Sequence, residues 1–248
     1  MEIICSKTGS SGNFSVISDG ASSLAIDCGV PWDKALRMSS YGLLDACALL
    51  VSHGHGDHLG YINQFVKGMM NVFMSKETWD KGIENGTINR WTAEVYNDNV
   101  SFFDGSQFKV GTFVVKPFKV PHTNTDGSPC DNSGFLIYST ATKEKMLWVT
   151  DCAYITQKFP PLDYICIECN YVDVEDYSKE AAFTNIPLES RRVQSHLSLN
   201  RCVDFLKKQD LSKIKFVKLL HLTHHQGIIE DVIRERLAKE FPSLKIII

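Results

Sequence analysis

The most distinctive stretch of the chain reads Leu49-Leu50-Val51-Ser52-His53-Gly54-His55-Gly56-Asp57-His58-Leu59-Gly60. An apolar run opens here into three histidines and one aspartate within positions 53 to 58. Crowding such groups directly after a buried strand costs stability unless a cation offsets their loss of hydration. The glycines at 54 and 56 let the backbone bend sharply enough for these side chains to face neighbouring ions. The stretch therefore predicts a metal site rather than an ordinary polar loop, with candidate ligands His53, His55, Asp57 and His58.

Length and charge bound the class of protein. With 248 residues, 44% of them hydrophobic, the chain can bury a full core, and we expect one domain over residues 1–248. Its 26 basic and 29 acidic residues give a net charge of −3. Proteins that live on long polyanions gain affinity by releasing counterions from a basic face, so this balance argues against long nucleic acid as a partner.

The expected location is the cytoplasm. No apolar stretch approaches the roughly 20 residues that cross a bilayer, and the first residues lack the layout of a signal peptide. Eight cysteines are spread over the chain, and we expect them to act as small buried hydrophobic residues in a reducing compartment. Cys166 and Cys169 form one CxxC without a second pair, so we interpret them as structural.

The order of elements predicts an α/β fold. Strands are expected at 14–18, 23–27, 48–52, 71–74, 135–139, 146–150, 164–168, 217–222 and 245–248, with a hairpin over 107–110 and 112–120. Helices are expected at 59–70, 76–84, 199–208 (capped by Ser198) and 228–241, and residues 85–99 give no clear signal. Two strand-rich halves, each followed by helices, indicate two facing sheets with helices outside.

A loop with four ligands for two ions needs further donors. Strand ends supply such donors, because a strand terminus fixes a side chain while leaving it open to a cleft. Three residues follow predicted strands in this way, namely His122, Asp151 and His221.

The HxHxDH loop, followed in order by His122, Asp151 and His221, resembles the metallo-β-lactamase superfamily over nearly the whole chain. The resemblance implies a four-layer αββα sandwich with a dinuclear metal site at one edge. One ion would be held by His53, His55 and His122, and the second by Asp57, His58 and His221, with Asp151 bridging. Nitrogen-rich ligation favours two Zn²⁺ ions, with manganese or iron as alternatives.

The resemblance also narrows the chemistry to hydrolysis. Lactamases of this superfamily usually lack an aspartate bridge, so Asp151 leaves phosphodiesters and thioesters as the main substrate classes. His196 lies where the ribonuclease Z-like branch carries a non-ligand histidine near the scissile phosphate, and an alkoxide leaving group needs the proton that such a histidine supplies. We assign catalytic roles to His196 and to Asp57, the latter orienting the attacking hydroxide.

Two further segments, Thr8-Gly9-Ser10-Ser11-Gly12-Asn13 and Glu168-Cys169-Asn170, resemble the YycJ (WalJ-like) subgroup. Glycine- and serine-rich turns donate backbone N–H groups to anions, although such a turn is more often only a hairpin. Arg191 and Arg192 could pair with a phosphate or form a solvated charge run, and His224 could line the pocket. The predicted substrate contacts are Ser11, Asn13, Asn170 and His225.

Two activities compete within that subgroup: 5′-to-3′ exonuclease action on DNA, and hydrolysis of cyclic mononucleotides as in the phage anti-Pycsar phosphodiesterases. A small cyclic diester needs only the ion pair and a pocket, and the chain lacks the basic track that grips long nucleic acid. We therefore favour cyclic CMP or cyclic UMP as substrate, with aromatic side chains from 85–103 or from a partner subunit stacking on the base. A homodimer is expected. The same residues would also suit a glyoxalase II-like thioesterase or a non-enzymatic metal centre.

Overall fold

The computed structural model describes residues 1–68, 70–172, 193–222 and 226–248. The strands are β1 Glu2–Lys7, β2 Phe14–Ser18, β3 Ser23–Ile26, β4 Ala46–Leu50, β5 Val72–Ser75, β6 Val100–Phe103, β7 Phe108–Val110, β8 Phe113–Thr123, β9 Pro129–Ser139, β10 Lys145–Val149, β11 Tyr164–Glu168, β12 Phe216–Leu220 and β13 Ile246–Ile247. The helices are α1 Trp32–Met38, α2 Gly56–Leu59, α3 Ile62–Lys67, α4 Lys76–Glu84, α5 Arg90–Val95, α6 Leu199–Lys207 and α7 Gln226–Glu240.

These elements form a mixed α/β fold with two sheets. The first sheet has six strands in the order β1-β2-β3-β4-β5-β6, and the second has seven in the order β13-β12-β11-β10-β9-β8-β7. The residues cluster into two compact units: Met1–Lys119 with Asp131–Glu144, and Val120–Cys130 with Lys145–Ile248. The single domain expected over the whole chain stays a prediction.

The first unit is built on the six-stranded sheet. Strands β1 to β3 pair antiparallel, and β3 to β6 pair parallel. All residues of β2 and β3 are buried, which suits their β-branched and small side chains. Phe65 of α3 anchors the core, with its ring centroid 6.0 Å from that of Phe14 and 5.0 Å from that of Trp32. This core supports the end of β4, from which the histidine-rich stretch begins.

The helix predicted over 59–70 is wrong in its extent. The chain instead forms α2 and α3, separated by Gly60 and Tyr61. The backbone N–H of Tyr61 donates to the carbonyl of Cys28 (3.0 Å), a bond to a distant segment that redirects the chain between the two helices. The short α2 therefore carries the candidate ligands Asp57 and His58, and α3 serves the core.

The second unit carries a parallel run of strands, β10 to β13. Helix α6 begins where predicted, because the Ser198 side chain accepts a hydrogen bond from the Arg201 N–H (3.3 Å). Its apolar face is buried through Leu199, Cys202, Val203, Phe205 and Leu206. The parallel strands end at a common edge. The carboxyl ends of β10 and β12 lead into the polar residues Asp151 and His221.

The remaining predictions concern the hairpin, the region 85–99, the cysteines and membrane-spanning helices. The hairpin is confirmed, with β7 and β8 joined across Gly111 at φ 55°. The uncertain region 85–99 contains α5, capped by Asn89, whose side chain accepts from the Thr92 N–H (2.7 Å). All eight cysteines carry free thiols. Among the described residues, no helix has both the length and the apolar character needed to cross a bilayer.

Candidate metal centre

The first unit gathers the four polar residues of the histidine-rich stretch at the end of β4. The ring centroid of His53 lies 4.7 Å from that of His55 and 4.1 Å from that of His58. The Nε2 of His58 lies 3.6 Å from Oδ2 of Asp57. His53 and His58 are fully buried, whereas His55 and Asp57 are partly exposed. The side chains of the histidine-rich loop thus lie close together, as the sequence predicts.

Asp27, which sequence reasoning missed, orients His58. The Nδ1 of His58 donates to Oδ2 of Asp27 (2.8 Å), and both the N–H and the hydroxyl of Ser52 donate to the other carboxylate oxygen (2.8 and 2.9 Å). A histidine that donates a hydrogen bond from Nδ1–H to a carboxylate presents the Nε2 lone pair, which is the usual arrangement of a metal-binding imidazole. Asp27 directly follows β3, and only its position after a strand could have drawn attention to it.

The loop around Asn13 packs against the backbone of the same ligands. The Asn13 N–H donates to the carbonyl of Asp57 (2.6 Å), and the Cys28 N–H donates to the carbonyl of His58 (2.7 Å). Gly29 lies beneath Asp57, where a β-carbon would be only 1.7 Å from the Asp57 carbonyl oxygen. Backbone approaches this close require glycine.

We expect Gly29→Ala to lower the free energy of unfolding by at least about 3 kcal/mol, because an added methyl group would overlap the Asp57 and Asn13 backbone. Denaturant unfolding of the metal-free protein measures this loss. Gly56→Ala is the matched control, since open space surrounds its β-carbon position, and it should change stability by less than about 1 kcal/mol. Equal stability of the two variants would mean that the loop relaxes around the methyl group.

The second unit brings together the three strand-end ligands that the sequence predicted. The Nε2 of His122 lies 3.9 Å from Oδ2 of Asp151, and the Nδ1 of His221 lies 3.2 Å from Oδ1 of Asp151. The Nδ1–H of His122 donates a hydrogen bond to the Ser195 carbonyl (2.7 Å), so Nε2 carries the lone pair. His122 lies within β8 instead of after it, since that strand continues to Thr123.

The buried carboxylate of Glu168 accepts four hydrogen bonds in the second unit. Its Oε1 accepts from Nδ1 of His196 (2.6 Å) and of His221 (3.0 Å), and its Oε2 accepts from the N–H groups of Cys152 (2.8 Å) and Leu197 (3.0 Å). The sequence pointed to the segment 168–170 but gave Glu168 no role. A buried carboxylate with four donors is well satisfied, so it can hold both imidazoles in fixed orientations.

The charges of Glu168 and His196 support each other. Burial raises the pKa of the Glu168 carboxyl, but the neighbouring His196 and the hydrogen bonds from His196 and His221 bring it below the usual value. Burial lowers the pKa of His196, yet the Glu168 carboxylate outweighs this and raises it overall. Each of the two groups thus favours the charged form of the other.

Three of the site residues have left-handed backbone. Asp27, Asp151 and His221 have φ values of 58°, 50° and 52°. Non-glycine residues rarely adopt this region, and strained positions persist only where the surroundings hold them. Each lies just beyond the end of a strand, where the turn directs its side chain.

The predicted substrate contacts have different environments. Ser11 is exposed and its hydroxyl accepts from the Lys7 ammonium (2.6 Å). Asn13 and Asn170 are buried, and the amide of Asn170 donates to the carbonyl of His221 (2.8 Å). His225, His224, Arg191 and Arg192 lie outside the described residues. Contact of these residues with substrate stays a prediction.

The donor chemistry of both units suits a divalent metal. Imidazoles with carboxylate or carbonyl partners behind them, and carboxylates beside them, are the ligands that zinc and similar ions take in proteins. In the second unit alone, Asp151, Glu168, His196 and His221 offer ligand atoms within 4.8 Å of one another. This donor chemistry supports divalent metal binding, and the assignment of individual ligands stays a prediction.

Solved structures with similar folds cover almost all of the chain. The metallo-beta-lactamase fold protein YhfI from Bacillus subtilis is 17% identical, with a TM-score of 0.67 over 98% of this chain and 93% of its own. Human tRNase Z, short form, is 14% identical, with a TM-score of 0.59 over 98% of this chain and 94% of its own. Yeast PDE1 is 13% identical, with a TM-score of 0.66 over 98% of this chain and 96% of its own. At these identities the likeness shows the fold alone.

A search of curated proteins finds no match to this sequence. The family model of the beta-lactamase superfamily domain matches residues 25–225, a range that contains the histidine-rich loop, His122, Asp151, Glu168, His196 and His221. Family and ligand chemistry together support a metal-dependent hydrolase. Having two sheets with helices and candidate ligands at its strand ends, the chain belongs to the beta-lactamase superfamily domain family and has the metallo-β-lactamase fold that its sequence predicts.

Proposed function

We propose that this protein is a divalent-metal-dependent phosphodiesterase that hydrolyses cyclic mononucleotides, such as cyclic CMP and cyclic UMP, to nucleoside 5′-monophosphates. The observation that carries the proposal is the imidazole of His196, bound through Nδ1 to Glu168. Its ring centroid lies 5.4 Å from that of His122 and 5.1 Å from that of His221. A fixed imidazole beside candidate ligands suits delivery of a proton to a leaving oxygen.

In this proposal, the seven predicted ligands hold two divalent ions. One ion would be held by His53, His55 and His122. The second ion would be held by Asp57, His58 and His221, and Asp151 would contact both ions. Such ions polarise phosphoryl oxygens and make water nucleophilic near neutral pH. Zinc is the favoured metal because most of these ligands are imidazoles, with manganese as the alternative.

The remaining chemistry falls to the protein's own side chains. Asp57 would accept a hydrogen bond from the attacking nucleophile and orient it. His196 would give its Nε2 proton to the departing 3′ oxygen, while Glu168 stabilises the imidazolium beforehand through Nδ1. An alkoxide is a poor leaving group, so this proton matters more for a phosphodiester than for a thioester, whose thiolate leaves unaided.

A small substrate fits the charge of the chain better than a long polyanion does. The net charge is −3, so the chain as a whole does not attract nucleic acid electrostatically. Trp91 and Phe102, in the region expected to stack on a base, are 54% and 41% exposed. Together with the resemblance of residues 8–13 to the YycJ-like subgroup, these features support a role in countering cyclic nucleotide antiphage signalling.

One assay separates the candidate functions. Purified protein loaded with Zn²⁺ or Mn²⁺ is incubated with cyclic CMP, cyclic UMP, cyclic AMP, cyclic GMP, single-stranded DNA and a glutathione thioester. We expect nucleoside 5′-monophosphates from the cyclic pyrimidine nucleotides. Degradation of DNA without cyclic nucleotide hydrolysis would replace the proposal with the exonuclease function, and thioester cleavage alone would replace it with a thioesterase.

The YycJ-like 5′-to-3′ exodeoxyribonuclease is the second candidate. The Glu168–His196 pair is compatible with it, because the pair would serve any phosphodiester with an alkoxide leaving group. The homodimer implied by the subgroup resemblance remains part of the proposal, and sedimentation of the purified protein measures it.

A further inference from the structure

We infer that Asn13 is a positioning residue for the cation site, holding Asp57 and His58 in their ligand geometry. The inference rests on the part of the proposed function that gives these two residues to one ion. Asn13 is 3% exposed, so its amide is removed from solvent and its hydrogen bonds are made within the protein.

The amide orientation is fixed on one side by backbone. Oδ1 of Asn13 accepts from the N–H of Gly9 (2.8 Å), which assigns the other end of the amide as the donor. That end, Nδ2, lies 3.0 Å from Oδ2 of Asp57 and 3.2 Å from the Asp57 carbonyl. Asn13 thus donates towards both the side chain and the backbone of one candidate ligand.

The same nitrogen reaches the second ligand. Nδ2 of Asn13 lies 2.8 Å from Nε2 of His58. Since Nδ1 of His58 faces the Asp27 carboxylate, Nε2 carries the lone pair and accepts from the amide. Asn13 and Asp27 therefore select the same tautomer of His58 from opposite sides of the ring, and this is the tautomer that binds a metal.

A cation held by Nε2 of His58 and the Asp57 carboxylate would compete with the hydrogen bonds that these two groups accept from Nδ2. The bonds from Nδ2 to the Asp57 carbonyl and from Gly9 to Oδ1 end on no ligand atom, so they persist and continue to hold the Asp57 backbone in place. We therefore expect positioning to outweigh competition, and loss of the amide to weaken binding at this ion alone. Partners of this kind typically contribute roughly 10- to 100-fold in metal affinity.

The test is calorimetric titration of metal-free protein with Zn²⁺, with His58→Ala marking the binding step that depends on His58. Asn13→Ala should weaken that step about 10- to 100-fold and leave the other within about threefold. Asn63→Ala is the matched control, because its amide also joins two backbone segments, donating to the Thr87 carbonyl (2.7 Å) and accepting from the Asn89 N–H (3.1 Å), away from the ligands. It should leave both steps unchanged.

Three outcomes would overturn the inference: unchanged affinities in Asn13→Ala, equal weakening of both steps, or the same weakening in Asn63→Ala. If Asn13→Ala does not fold, Asn13→Ser replaces it, since a serine hydroxyl is too short to bridge Gly9 and Asp57. Wild-type protein that binds no Zn²⁺ would overturn the proposed function as well, whereas wild-type binding of two ions with no effect at Asn13 would overturn this inference alone.

Discussion

Turnover of a cyclic nucleotide is expected to fall about 10²- to 10⁴-fold in His196→Ala, while the metal content stays at the wild-type level. His196 is held by Glu168 and lies beside His122 and His221, yet it is not one of the proposed ligands. Its loss therefore removes a proton donor without removing a ligand. Elemental analysis of the purified variant and steady-state kinetics together measure this result.

The leaving group provides the decisive comparison for His196. An aryl phosphodiester, whose phenolate departs without a proton, should lose much less activity in His196→Ala than a cyclic nucleotide does. His196→Gln is the matched variant, since its amide fills similar space but cannot transfer a proton, and it should behave like the alanine variant. An equal loss on both substrates would assign His196 a packing role.

Asp151→Ala is expected to lose both metal and activity, with turnover lowered by about three orders of magnitude or more, because the ions supply several kcal/mol of charge stabilisation. In the second unit, this carboxylate has one oxygen 3.2 Å from His221 and the other 3.9 Å from His122. Its removal also leaves both histidines without this acidic neighbour. Metal content and turnover are measured as for His196.

The control for Asp151 is Asp204→Ala, which removes an exposed carboxylate on α6. This variant should keep wild-type metal content and turnover. If Asp151→Ala kept its full metal content, the bridging role would be wrong, whatever its activity. The contrast with His196→Ala, which keeps metal but loses turnover, separates ligand loss from loss of proton transfer.

Local patterns in the sequence predict much of the fold and indicate the candidate metal ligands. The strands β2, β10 and β11 and the cap at Ser198 follow from alternation, apolar runs and capping preferences within a few residues. The histidine-rich loop was identified because its ligands are adjacent in sequence. His122, Asp151 and His221 were identified because each comes at or near the end of a predicted strand.

The residues that sequence reasoning missed act through contacts between distant segments. Asp27 holds His58 across 31 positions, and Glu168 holds His196 across 28. The break between α2 and α3 likewise depends on the Cys28 carbonyl, which the local helical pattern cannot report. Glutamate, aspartate and asparagine at such places resemble ordinary polar residues until the fold brings their partners to them.

The left-handed backbone at Asp27, Asp151 and His221 lowers the stability of the fold at positions whose side chains the candidate metal centre needs. Each of these residues carries a conformational cost of about 1 to 2 kcal/mol that glycine would not incur. Glycine substitutions here would relieve the backbone while deleting the groups that serve the metal centre. In a variant selected only for heat resistance, glycine would raise stability here only where the backbone relief exceeds the hydrogen bonds lost, and in every case the side chain at the candidate metal centre would be lost.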